Sequence, residues 1–205
     1  MGKEGKRRSP GTGDGEAVCE KLVSVAGPYN IIYADPPWKY TSKSVPPNRE
    51  VVNHYSTMPL EEIKSLPVHE LADPKNCILF LWATGPCLPE ALEVMKAWGF
   101  EYKTVGFVWV KLNKGNGKPF MGMGAYTRAN CEYVLLGVRG RNLPRLDKGV
   151  RQLVFSVREE HSKKPGEVRD RIVELYGDVP RIELFARQRV EGWVCWGDEA
   201  PAICD

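Results

Sequence analysis

The stretch "NIIYADPPWKY", Asn30–Tyr40, decides how this chain is to be read. Asn30–Ala34 is apolar and β-rich enough to predict a buried strand, and an acid, two prolines and a tryptophan follow it at once. Tandem prolines donate no backbone hydrogen bonds and fix φ, so they end a strand abruptly. In an open α/β sheet, ligands bind at the carboxyl ends of strands. Asp35 and Trp38 therefore stand where such a sheet keeps its functional groups.

The segments downstream supply the rest of that sheet. A polar loop, Thr41–Asn53, leads to a predicted helix over Pro59–Leu66, and Asn76–Thr84 ("NCILFLWAT") reads as a central strand. Leu88–Trp98 carries apolar residues at helical spacing, and Gly99 stops it. Strands are predicted at Tyr102–Lys111, Glu132–Val138, Gln152–Ser156, Arg181–Arg187 and Trp193–Trp196. A helix is predicted at Pro165–Tyr176, with proline at its start and Gly177 just past its end. Strands alternating with helices imply an α/β fold with helices on both faces of the sheet. Residues 1–17, rich in Gly, Lys, Arg and Ser, read as a flexible tail, and 18–205 as one domain.

Composition narrows the function classes. With 42% hydrophobic and 27% charged residues the chain has the balance of a soluble globular protein, and a net charge of +3 does not by itself announce a nucleic-acid binder. The six cysteines form no CxxC pair and the three histidines are scattered, so no metal site is expected. No apolar h-region opens the sequence, and the longest apolar run, Cys77–Ala83, is too short to cross a membrane. The expectation is a reduced, cytoplasmic protein without membrane contact.

An Asp-Pro turn alone commonly just caps a strand. The full Asp35-Pro36-Pro37-Trp38 sequence is far rarer, on the order of one chance match in thousands of chains, and it suits a particular chemistry. An exocyclic amine on a nucleobase is a poor nucleophile because its lone pair is delocalised into the ring. Accepting hydrogen bonds from both of its N–H groups turns that lone pair out of plane. The Asp35 carboxylate can accept one and the Pro36 carbonyl the other, with the proline rings fixing the carbonyl. Trp38 offers a stacking face, worth about 1–3 kcal/mol per base.

This tetrapeptide, with "HYSTM", "LFLWATG", "VWVK", "CEYVLLGVRG", "SKKPGEV" and "IELFAR" in order, resembles the DPPW-type adenine-N(6) methyltransferases of the MT-A70 family from about Tyr29 to Gly197. The resemblance implies a Rossmann-like methyltransferase fold with the catalytic strand first and the cofactor strand late, a circularly permuted order. It implies S-adenosylmethionine as methyl donor, and Asp35, Pro36, Pro37 and Trp38 as the catalytic residues. The absence of a GxGxxG is consistent with this donor, which carries no phosphate for such a turn to cradle.

For cofactor binding, Asp35 joins Lys164, which matches the family's Lys-Pro motif, and Arg187, which matches its cofactor arginine. Asp198 and Glu199 fall where members carry Asn and Gln, a departure, and Gln188–Glu191 lacks the family's His-Asn pair. On the substrate side the resemblance points to Tyr55, Tyr126, Arg128 and Glu132, with Lys39 able to meet a phosphate. The Gly-rich stretch Asn113–Gly124 is expected to be mobile. The compact layout is similar to phage and bacterial members, so the expected substrate is adenine in DNA, with RNA as the alternative. Since the family also holds non-catalytic nucleic-acid-binding subunits, that role is the runner-up, disfavoured because Asp35 and Trp38 are both kept. A homodimer or a partner methyltransferase subunit is left open.

Overall fold

In a computed structural model of the chain, the described residues are Leu22, Val25, 27–39, 57–122, Gly124, 126–159 and 163–197. The predicted tail and the Thr41–Asn53 loop lie outside them. Seven strands form one sheet: β1 Ile31–Ala34, β2 Asn76–Ala83, β3 Glu101–Leu112, β4 Cys131–Gly140, β5 Leu153–Val157, β6 Arg181–Leu184 and β7 Val194–Trp196. Helices α1 (Leu60–Ser65), α2 (Val68–Leu71), α3 (Leu88–Ala97) and α4 (Glu167–Tyr176) pack around it. The result is the expected Rossmann-like α/β architecture.

Strand order is β5-β3-β4-β2-β1-β6-β7. β1 pairs in parallel with β2 and β6, β6 with β7, and β3 with β5, whereas β4 runs antiparallel to both β2 and β3. Every strand but β4 therefore points the same way. Their carboxyl ends and the start of β4 share one edge of the sheet, and the loops after β1, β2, β3, β5 and β6 all emerge there.

Apolar sequence explains the centre of this order. All of β1 is buried, as is β2 from Cys77 to Ala83, because both faces of these strands are covered. On one face Ile63 and Leu66, Val68 and Leu71, and Ala91, Val94 and Met95 bring α1, α2 and α3 into a core with Ile32, Leu79 and Leu81. On the other, Val168, Ile172 and Tyr176 of α4 pack with Ile31, Tyr33, Phe80, Trp82 and Trp109. Each such aliphatic side chain contributes about 1.5–3 kcal/mol on full burial.

Most element bounds differ from the sequence reading by one or two residues, and the end of β6 by three. β6 stops at Leu184 rather than Arg187, because Phe185 takes a φ of 60° that no strand tolerates. Phe185 then packs edge-on against Trp196 of β7, ring centroids 5.5 Å apart. The four-residue α2 was not foreseen; "VHEL" is too short to show a helical period.

The first half of the Gly-rich stretch is a hairpin continuing β3: Leu112 bridges Pro119, Asn113 N–H donates to the Lys118 carbonyl (2.9 Å), and Phe120 N–H donates to that of Lys111 (2.7 Å). Asn113 Nδ2 and the Asn116 carboxamide oxygen close further bonds inside the turn. Gly117 at φ +63° is the position that demands glycine.

Candidate active site

The turn after β1 is held by its own prolines and by the tryptophan. Trp38 N–H donates to the Pro36 carbonyl at 2.8 Å, a bond spanning only three residues, and Met58 N–H donates to the Pro37 carbonyl at 3.0 Å. Trp38 Nε1 donates to the carbonyl of Trp82, at the end of β2, at 3.0 Å. Trp82 Nε1 in turn donates to the Tyr33 hydroxyl at 2.6 Å. These bonds fix the turn to the two central strands and leave Asp35 facing the sheet edge.

The expectation for Trp38 changes accordingly. It is 8% exposed and belongs to the core packed under α1–α3. Little of either face is open to a base, so the indole observed here anchors the turn. The Pro36 carbonyl is already an acceptor, although its second lone pair can take another donor.

Asp35 meets Lys164 from the segment leading into α4, with Lys164 Nζ 2.8 Å from Asp35 Oδ2. The same ammonium lies 3.4 Å from Glu132 Oε2 on β4. Glu132 is also bound through Oε1 by Lys111 of β3, at 2.5 Å. The result is an alternating row of two carboxylates and two ammonium groups, with Lys164 5.4 Å from the centre of the Trp82 ring. Lys111, the last residue of "VWVK", carries no functional signal in the sequence. The register Trp109↔Glu132 sets it beside the acid, and a lone lysine near a strand end carries no such signal.

Burial sets the protonation of this row. It pushes the Asp35 carboxyl above the usual carboxylate range, against the pull of Lys164 and with a further push from Glu132. Burial acts on Glu132 in the same sense, but Lys164 and Lys111 together hold its carboxyl below the ordinary value. Burial disfavours the Lys164 cation, yet Asp35 and Glu132 outweigh it and raise that group. Asp35 is thus the acid of the row most readily protonated. Arg187 is exposed, and its charge also acts to lower Asp35, which places it at the same edge.

Of the residues expected from sequence, the structure brings together Asp35, Glu132 and Lys164, with Arg187 close by. Lys39, Tyr126 and Arg128 are exposed at the loops of the same edge; Tyr126 makes no packing contact that shields it. Tyr55, Asp198 and Glu199 lie outside the described residues. Among the described residues no group of His, Cys, Asp and Glu could hold a metal ion, and no helix is long and apolar enough to cross a membrane.

Behind the row, Arg169 of α4 and Glu183 of β6 form a buried pair that sequence reasoning missed. Arg169 Nη1 donates to both Glu183 oxygens, at 2.9 and 3.1 Å, and the guanidinium lies 6.0 Å from the Tyr33 ring centre. Burial raises the Glu183 carboxyl to about 7, against the pull of Arg169.

The groups gathered at this edge are an ammonium at Lys164, a carboxylate at Asp35, a guanidinium at Arg187 and the paired rings of Phe185 and Trp196. Gly197 completes it. A Cβ there would meet the Ala186 carbonyl oxygen at 2.5 Å, so the end of β7 closes directly onto the loop after β6.

Comparison with known proteins shows the family. The family model described as MT-A70 matches residues 29–199. The type II methyltransferase M.MunI of Mycoplasma sp is 36% identical over 190 residues, covering 84% of this chain and 78% of that protein. The N(6)-adenosine-methyltransferase catalytic subunit METTL3 of Homo sapiens is 30% identical over 186 residues, 88% of this chain but 30% of its own length. The N(6)-adenine-specific methyltransferase METTL4 of Homo sapiens is 30% identical over 201 residues, 89% of this chain and 40% of its own. The chain therefore spans most of the first relative and well under half of the other two.

Proposed function

The chain belongs to the MT-A70 family of methyltransferases, and from that premise we propose that it methylates the exocyclic amine of adenine in DNA, with S-adenosylmethionine as donor. The observation that carries this reading is the Asp35 carboxylate, fixed at the carboxyl edge of the sheet by a proline-braced turn and held by Lys164. Bound S-adenosylmethionine supplies an electrophilic methyl group. Lys164, Arg187 and the Phe185–Trp196 wall are the residues that would hold it.

The chain's own task is to make the amine a nucleophile. Asp35 accepts one amine N–H, and the second lone pair of the Pro36 carbonyl accepts the other. Positive charge grows on the nitrogen during transfer, so an anion already in place stabilises the transition state more than the ground state. Lys164 on Oδ2 does not exhaust a carboxylate, which accepts several hydrogen bonds. Glu132, held as an anion by two lysines, accepts from the base or ribose in this reading. Adenine in a duplex hides its amine in the stack, so the base is flipped out, at a cost of a few kcal/mol, or taken from a single strand.

DNA is preferred because the chain spans 78% of the compact type II methyltransferase M.MunI but only 30% of METTL3, which is named for adenosine methylation. A homodimer or a partner methyltransferase subunit is compatible with that reading. The test is methyl transfer from labelled donor to single-stranded DNA, duplex DNA and RNA, followed by nucleoside mass spectrometry. N(6)-methyladenine is expected in DNA. Product confined to RNA moves the substrate to adenosine, and product in no polymer despite donor binding overturns the activity of the isolated chain.

A further inference from the structure

The hairpin that continues β3 is closed by its own hydrogen bonds, and its charge is all of one sign. From Leu112 to Cys131 the sequence carries Lys114, Lys118 and Arg128 and no acid. Lys114 and Lys118 are exposed on either side of the Gly117 turn, held there by the hydrogen bonds inside Asn113–Phe120. A Cβ on Gly115 or Gly117 would meet no neighbouring atom, so the tip stands clear of the described chain.

The base of the hairpin is tied to the active site. Arg158, just past β5, lies over the Phe120 ring at 4.2 Å, and its N–H donates to the Leu112 carbonyl at 3.2 Å. Phe120 N–H donates to the Lys111 carbonyl, and the Lys111 ammonium binds Glu132. Lys114 follows Lys111 by three residues, so its Cα is at most about 11 Å away. Along a duplex strand rising about 3.4 Å per nucleotide, that is at most roughly three steps from Lys111.

We infer that the Asn113–Phe120 hairpin is a phosphate-binding arm, in which Lys114 and Lys118 grip the backbone of the nucleic-acid strand a few nucleotides from the adenine held at Asp35. Arg158, over the Phe120 ring, braces the arm and adds its charge on the same side. The arm reads no sequence, since lysines on phosphates position a strand without distinguishing its bases. It gives a small domain a hold on the polymer beyond the target base. This inference rests on the proposed activity, and its test separates the two.

Binding of a labelled DNA oligonucleotide is measured by fluorescence anisotropy over a series of salt concentrations. Wild type is compared with Lys114→Gln/Lys118→Gln and with Lys75→Gln/Lys96→Gln, which removes the same charge from exposed positions away from this edge. Each phosphate contact contributes about 0.7–0.9 to the slope of log K against log salt, so the hairpin variant is expected to lose roughly 1.4–1.8 of slope. The control pair is expected to keep the wild-type slope. Equal slopes for hairpin variant and wild type overturn the arm, as does an equal loss in both double variants. If wild type forms N(6)-methyladenine while the hairpin variant keeps its slope, only the arm falls. If wild type binds no polymer, both readings fall.

Discussion

Asp35 and Glu183 are largely buried carboxylates at neighbouring strands, one just past β1 and one within β6, and each meets a single strong cation in a different way. Glu183 is gripped through both oxygens by a guanidinium from α4, inside the core. Asp35 is touched through one oxygen by an ammonium that it shares with Glu132 at the sheet edge. An arginine in such a pair is always charged and geometrically fixed, whereas a lysine is a mobile point charge able to pass between acceptors. The inner pair locks α4 onto the sheet. The outer pair leaves a carboxylate whose cation is shared with a second acid.

The largest effect that would break this contrast is on stability. Arg169→Met strands Glu183 in the core, and a broken buried pair costs about 3–5 kcal/mol. Denaturant unfolding measures it, and a loss under about 1 kcal/mol would show that the pair is not the clamp described here.

At the outer pair the effect shifts to binding. Lys164→Ala removes a charged hydrogen-bond donor worth about 1.5–3 kcal/mol, so S-adenosylmethionine affinity is expected to fall roughly tenfold to a hundredfold by calorimetry. Unchanged affinity would take Lys164 out of the cofactor site and leave it only the role of holding Asp35.

pH dependence sharpens the comparison. Glu183 has a folded value of about 7 against an ordinary 4.5, so the native state holds its proton longer than the unfolded chain. Its contribution is fully present below 4.5 and is lost as pH rises through about 7, on the order of 3 kcal/mol in all. Glu183→Gln is expected to flatten stability against pH over that window, and an unaltered profile would place the titration elsewhere. Asp35 is also raised, so methyl transfer is expected to fall on acidification at a higher pH than an ordinary aspartate would give.

The smallest effect tests the turn. Trp38→Phe removes the bond to the Trp82 carbonyl, worth about 0.5–1.5 kcal/mol, while keeping most of the apolar packing. A change in thermal midpoint with little change in transfer fits an anchor. A large loss of transfer with no loss of stability would restore Trp38 as a base-stacking surface.

Much of the fold was legible because its centre is written in local pattern. β1 and β2 are apolar on both faces, and Gly99 and Gly177 mark where their helices end. Asp35, Glu132 and Lys164 were legible as residues because each sits in a motif, yet their mutual contacts were not. The contact of Lys111 with Glu132 depends on the β3–β4 register, and that of Arg169 with Glu183 on how α4 lies across β6. Both are set by packing between segments far apart in sequence. Phe185 is a different kind of miss, since nothing in "ELFAR" announces a positive φ.

The central claim is that the Asp35 carboxylate activates an adenine amine, and the direct measurement is the methyl-transfer rate of Asp35→Ala beside wild type, with donor saturating and N(6)-methyladenine counted by mass spectrometry. The predicted result is a loss of about 2–4 kcal/mol of transition-state stabilisation with the fold retained. Transfer at the wild-type rate would contradict the account.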